Sequence, residues 1–180
     1  EGLLEQLRTD VIHIEEIVKT VLEIGRRSSS ESSAPQSVFL KDEIQSFIDD
    51  FEKNFGVLID RTKERIPQNE QFLVEWGLLR VLLDNLFRNS IKHSKGKTEI
   101  QFASQQHGSR IFLEVRDNGP GFSAEILESL ADWKKWDSRL GVGLNLCKQI
   151  ESLTSWKLWF SNLDEGGGSI HIEIPSSRIS

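Results

Sequence analysis

The stretch Leu78–Ser94, LLRVLLDNLFRNSIKHS, constrains this chain more than any other. Leu79, Leu82, Leu83 and Leu86 recur at helical spacing and predict a buried stripe. Asn85 and Asn89 stand four apart, with Lys92 three further on, so all three lie along one edge of the same helix. Asparagine is a poor helix former and costs a few tenths of a kcal/mol, roughly, at each such position. Something is expected to offset that cost. One amide oxygen can ligate a hard cation, while another amide can hydrogen-bond phosphate or water and the lysine supplies a mobile positive charge. The plain alternative is that the asparagines sit at the exposed margin of an amphipathic helix, and the helix alone does not decide between them.

Before that helix, Leu4, Leu7, Val11, Ile14, Val18 and Val21 follow a three-four alternation, a heptad seam of the kind that packs helix against helix. An isolated helix of this length is marginal in water, so residues 1–27 are expected to pair with another helix, in this chain's dimer partner or in a segment outside this sequence. Residues 28–37, SSSESSAPQS, are polar and aperiodic and read as a linker, which leaves 38–180 as the main domain. SVFLK reads as a short strand, and Asp42 as the cap of a helix with Ile44, Phe47, Ile48, Phe51 and Phe55 on one face. VLIDRTKE and Phe72–Glu75 read as further strands flanking a turn at Pro67–Glu70.

Downstream of the asparagine helix, residues 98–105 and 110–117 form a predicted hairpin. Ile111, Leu113 and Val115 share its apolar face, and by the same parity Asp117 points inward. A carboxylate aimed at an apolar layer is costly unless something hydrogen-bonds it, which singles out Asp117. Gly119, Pro120 and Gly121 follow directly and allow backbone to approach a ligand closely, although DNGPG is also an ordinary turn sequence. Ser123 starts a short predicted helix, and Trp133 and Trp136 are either core anchors or a ligand cover. Gly141, Val142 and Gly143 open a helix whose Leu146, Cys147, Ile150 and Leu153 are expected to face inward. Glycines at a helix start are a usual setting for amides that hold phosphate. Residues 156–161 and 169–174 alternate as closing strands around NLDEGGG, and His171 is expected to be a solvated strand histidine.

The net charge of −6, with no basic run, argues against nucleic-acid binding. The single cysteine, Cys147, cannot make an intramolecular disulfide and suits a core position in a reducing compartment. No apolar run approaches the length of a bilayer span, so no membrane contact and a cytoplasmic piece of a longer protein are expected.

Taken in order, an asparagine-bearing helix, a strand ending in D-x-G-x-G and a glycine pair opening a helix form a specific set. Asn85–Lys92 resembles the N-box, Asp117–Gly121 the G1 box and Gly141–Leu144 the G2 box of the catalytic and ATP-binding domain of sensor histidine kinases. GGGSIHIEIP resembles that family's last glycine turn and strand, and the match covers about residues 38–175. The resemblance implies an α/β class, a two-layer α/β sandwich of the Bergerat type with a mixed sheet and helices on one face, preceded by a long helix. It implies ATP and magnesium as ligands, a response regulator as partner, and transfer of the γ-phosphoryl group to a histidine upstream of this sequence. Position by position, Asn89 matches the magnesium ligand, Asn85 the residue lining the phosphate site and Lys92 the phosphate-binding lysine. His93 stands where an aromatic usually lies against adenine, and Asp117 matches the carboxylate that accepts from the adenine amino group. Gly119 and Gly121 match the G1 glycines; Gly141, Gly143 and Leu144 match G2, with Arg139 replacing its first glycine and the segment before it serving as lid.

Residues 1–27 resemble only the second helix of the family's dimerisation and phosphotransfer hairpin, and His13 lies off the heptad seam without the family's phosphoacceptor pattern. Related ATPases of the gyrase, MutL and chaperone type carry a water-activating glutamate where this chain has Asn85. An amide cannot take that proton, which ranks a free-standing ATPase below a kinase. A scaffold that keeps the fold without binding nucleotide is the other alternative, favoured by the altered lid.

Overall fold

The structure, a computed structural model, describes residues 35–94, 96–131 and 140–176. The helix expected over residues 1–27 with His13, most of the expected linker, Trp133, Trp136 and Arg139 lie outside the described residues. Strand β1 (Gln36–Phe39) pairs antiparallel with β3 (Gln71–Val74) in a two-stranded ribbon, and between them lie helix α1 (Leu40–Phe55) and strand β2 (Ile59–Glu64). Helix α2 (Trp76–His93) follows, then the hairpin β4 (Ile100–His107) and β5 (Arg110–Asp117), helices α3 (Ala124–Ala131) and α4 (Gly141–Leu153), and strands β6 (Lys157–Asn162) and β7 (Gly168–Pro175). The main sheet runs β2-β4-β5-β7-β6; only β2 and β4 are parallel, so it is mixed, as expected.

Alternation decides which face the helices cover. Ile111, Leu113 and Val115 are buried, as are Ile170, Ile172 and Ile174 on the neighbouring strand, and they pack with Ile44, Phe47, Ile48 and Phe51 of α1, the leucines of α2 and Leu146, Cys147 and Ile150 of α4. The Phe87 ring joins the layers, 5.8 Å from Phe47 on α1 and 6.3 Å from Phe102 on β4. Burying each such side chain contributes about 1.5–3 kcal/mol, so this one interlayer cluster fixes how α1, α2 and the sheet meet. Among the described residues no helix is long and apolar enough to cross a membrane.

Several local expectations are corrected. Helix α1 starts at Leu40, without a side-chain cap, and Asp42 sits inside its first turn, where a negative charge favours the helix N-terminus. Leu40 is fully buried, and its packing draws the helix back past the polar candidate. The hairpin is tighter than predicted, with β4 extending to His107. Leu153 closes α4 at 61% exposure rather than facing inward, because the helix ends there and the core contact passes to Trp156. His171 is half-buried rather than solvated. Its ring stacks on Trp159 (5.1 Å between centroids, 6° between planes), and Nε2 lies 3.1 Å from Ser169 Oγ. Parity gave the correct face, but β5 and β6 cover the histidine from either side on that face.

Candidate functional site

The residues marked by sequence converge where the end of β5, the C-terminal half of α2 and the start of α4 meet. Helix α2 presents Asn85 and Asn89, both half-buried, on the edge away from its leucines; Lys92 and His93, a turn further on, are exposed. Ser90, the neighbour of Asn89, turns inward instead and is 2% exposed. Its hydroxyl lies 3.1 Å from the Leu86 carbonyl and 3.3 Å from Asp117 Oδ2, which links α2 to β5.

Asp117 closes β5 on the inward face and is held from three sides. Oδ1 accepts from the Gly119 amide at 2.8 Å and from the Gly168 amide at 3.3 Å, while Ser90 reaches Oδ2. An inward carboxylate so held is oriented and hydrogen-bonded, which answers the cost noted from sequence. The Gly168 contact depends on the β6–β7 turn folding over the end of β5. At Gly167 φ is +100°, and a Cβ there would stand 1.9 Å from the Asp117 carbonyl oxygen, so no other residue fits without moving backbone. After Gly119 and Gly121 the chain is clamped by Asn162, whose Oδ1 accepts from the Phe122 amide at 2.7 Å and whose Nδ2 donates to the Phe122 carbonyl at 2.8 Å. The backbone at His93 passes close to Gly119, so the end of α2 and the turn after β5 form adjacent walls.

The first turn of α4 seats directly on the asparagines. A methyl group at Gly143 would lie 2.7 Å from Asn89 Nδ2 and 2.8 Å from Asn85 Oδ1, so any side chain here would have to displace both amides. Asn85 Nδ2 donates to the Gly143 carbonyl at 3.0 Å, and Asn145 Nδ2 donates to the Gly141 carbonyl at 2.7 Å. Gly141 takes φ +66° at the entry to the helix, and Leu144 is half-buried beside it. Cys147 lies one turn on, fully buried; burial pushes its thiol up to about 12, so it is protonated at neutral pH. Lys148, also buried, donates to the Ser129 carbonyl at 3.2 Å and ties α4 to α3.

Asn85, Asn89, Asp117, Gly119 and Gly143 are thus brought together, Lys92 and His93 stand at the rim, and Arg139 is outside the described residues. Sequence reasoning missed Ser90, Asn162 and the donor role of Gly168. The inward parity of Asp117 was a signal that donors were needed, but not of where in the chain they would come from. A hollow of about 390 Å³ lined by Lys63, Glu114, Trp159 and His171 lies on the opposite, helix-free face of the sheet and shares none of these residues. Among the described residues no three His, Cys, Asp or Glu side chains form a metal cage. The donor set instead suits a hard cation taking one or two amide oxygens and completing its shell elsewhere.

Residues 76–178 match the family described as histidine kinase-, DNA gyrase B-, and HSP90-like ATPase. The sensor protein kinase PilS of Pseudomonas aeruginosa is 24% identical over 180 residues, covering 90% of this chain and 31% of PilS, so the chain spans less than a third of that relative. The catalytic domain of histidine kinase ThkA superposes with a TM-score of 0.65 at 22% identity, covering 78% of this chain and 95% of that one. Full-length ShkA in complex with AMPPNP gives 0.71 at 17% identity, over 99% of this chain and 39% of ShkA. ThkA in complex with response regulator protein TrrA gives 0.70 at 19%, over 98% and 51%. These structures share the fold.

Proposed function

The chain belongs to the histidine kinase-, DNA gyrase B- and HSP90-like ATPase family, and from that premise we propose that it is the ATP-binding catalytic module of a two-component sensor histidine kinase. The observation that carries the reading is the Asp117 carboxylate, fixed by Gly119, Gly168 and Ser90 at the mouth of the apolar layer. A carboxylate held this way is an acceptor for the exocyclic amine of adenine, with apolar side chains behind it to receive the flat ring. Asn89 supplies the amide oxygen for magnesium, which when bound neutralises phosphate charge; Lys92 at the rim adds a second positive charge. Gly141, Gly143 and Leu144 bring the start of α4 to the phosphate side, where its dipole favours anions. His93 forms the rim beside the base, and Gly119 and Gly121 let backbone approach it.

The chemistry follows from what the site lacks as well as what it holds. Asn85 stands where a general base for water would be needed, and an amide does not take up a proton at neutral pH. Phosphoryl transfer requires positioning and charge neutralisation more than a base on this module, so transfer to a histidine brought from a helical hairpin is favoured over hydrolysis. That histidine lies upstream of this sequence. A response regulator, like the one in complex with ThkA, is the downstream partner, and residues 1–27 supply a dimerising helix joined by a linker to the module, whose first strand starts at Gln36.

Titration calorimetry with AMPPNP tests the reading. Binding in the presence of magnesium is expected for the wild type and is expected to weaken at least about tenfold in Asp117→Asn, since a charge-assisted hydrogen bond is worth about 1.5–3 kcal/mol. Asn89→Ala is expected to lose the magnesium-dependent part of the affinity. No heat with the wild-type protein would leave a scaffold that keeps the fold without the nucleotide.

A further inference from the structure

The tie between α2 and α4 has a chemical direction. The Gly143 carbonyl has only an acceptor to offer, so the Asn85 amide must turn Nδ2 toward it, at 3.0 Å. The same Nδ2 lies 3.6 Å from Cys147 Sγ, and the Cys147 thiol donates to the Gly143 carbonyl at 3.3 Å. Three groups on two helices therefore close a triangle beside Asn89. Both hydrogens of the Asn85 amide are engaged inside the protein, so it has no N–H to offer a phosphate oxygen.

We infer that Asn85 is a positioning residue: by donating to Gly143 and Cys147 it sets the Gly141–Gly143 turn against Asn89, fixing the phosphate side of the cleft relative to the metal side. The identity of the ligand rests on the proposed nucleotide function; the tether is a property of the protein alone. The assignment gives the amide at 85 a purpose beyond the lack of a base. A carboxylate there would meet the carbonyl oxygen of Gly143 with no hydrogen to give, so it would push α4 outward. It also moves Asn85 away from the phosphate-lining role that the family resemblance implies, and leaves Cys147 as a buried reporter of whether α4 is seated.

The test uses the whole chain with Asn85→Ala, and Arg88→Ala, on the exposed side of the same helix, as comparator. Hydrogen exchange and iodoacetamide labelling of Cys147 are followed without nucleotide; ADP affinity is then measured with and without magnesium. Losing two hydrogen bonds at about 0.5–1.5 kcal/mol each is expected to speed exchange across residues 141–148, and labelling of Cys147, by about tenfold or more. Exchange in β5 should stay at the wild-type rate. Arg88→Ala should change neither. Affinity for magnesium-free ADP should fall about tenfold in Asn85→Ala and hold in Arg88→Ala. Wild-type exchange at 141–148, or acceleration spread evenly over the sheet, would overturn the tether. A wild-type protein that ignores ADP would refute the nucleotide reading, while the ligand-free arm would still decide the tether.

Discussion

At the scale of single residues, two half-buried carboxylates are each held by specific partners. Asp117 is one case, and the cluster on the outer sheet face is another. Glu114 sits between Arg116 (2.7 Å), Ser169 Oγ (2.7 Å) and His171 (3.6 Å). Although burial opposes it, hydrogen bonds from Arg116 and Ser169 leave the Glu114 carboxyl below its usual value. Burial pushes His171 down, with Glu114 opposing and Arg116 assisting. A histidine with a depressed folded value stays neutral while the unfolded chain takes up a proton, so stability is lost as pH falls below the ordinary 6.5. Glu114 adds a second loss with the same sign at lower pH, as it is protonated. Glu64 and Glu151, both raised by burial, act in the opposite direction. Comparing variants cancels these other groups: His171→Phe keeps a ring against Trp159 and removes the titration. Between about pH 7.5 and about pH 5.5 the urea midpoint of this variant is expected to fall less than that of the wild type. An equal fall in both proteins would remove His171 from the balance.

At the scale of elements, what was legible in the sequence divides by range. The stripe of α2, the parity of β5 and the glycine pair opening α4 depend on period, and period is local; Leu79, Leu82, Leu83 and Leu86 are all at most 1% exposed, as their spacing required. Ser90, Asn162 and Gly168 matter because of partners 27, 40 and 51 residues away, and no window of sequence contains both ends. The Asp42 cap failed for a related reason, since a buried leucine outside the capping pattern set the helix start. Glycine spacing was readable, but its cause differs by position: contact with asparagines at Gly143, contact with the Asp117 carbonyl at Gly167. The second can be checked. Gly167→Ala combines a left-handed backbone with a 1.9 Å collision against backbone, and is expected to cost about 2 kcal/mol or more in denaturant unfolding and to weaken nucleotide binding by moving the Gly168 amide off Asp117. Wild-type stability and affinity would show that the β6–β7 turn is free to relax and does not hold the carboxylate.

At the scale of the molecule, the mixed sheet and its helices act as a frame that brings three distant stretches of chain to one cleft. β5 delivers the carboxylate, α2 the amides and lysine, and α4 the glycine turn; the apolar layer behind them fixes their separations. In the proposed kinase this frame carries nucleotide to a histidine on a separate helical element, so the module needs a rigid base site and a phosphate side that can be set by α4. The most direct measurement is a crystal structure of the chain grown with magnesium and ADP. The expected result places the adenine amino group within about 3 Å of Asp117 and the metal on Asn89 Oδ1. Nucleotide bound elsewhere on the molecule, or a cleft at Asp117 without nucleotide at saturating ADP, would contradict it.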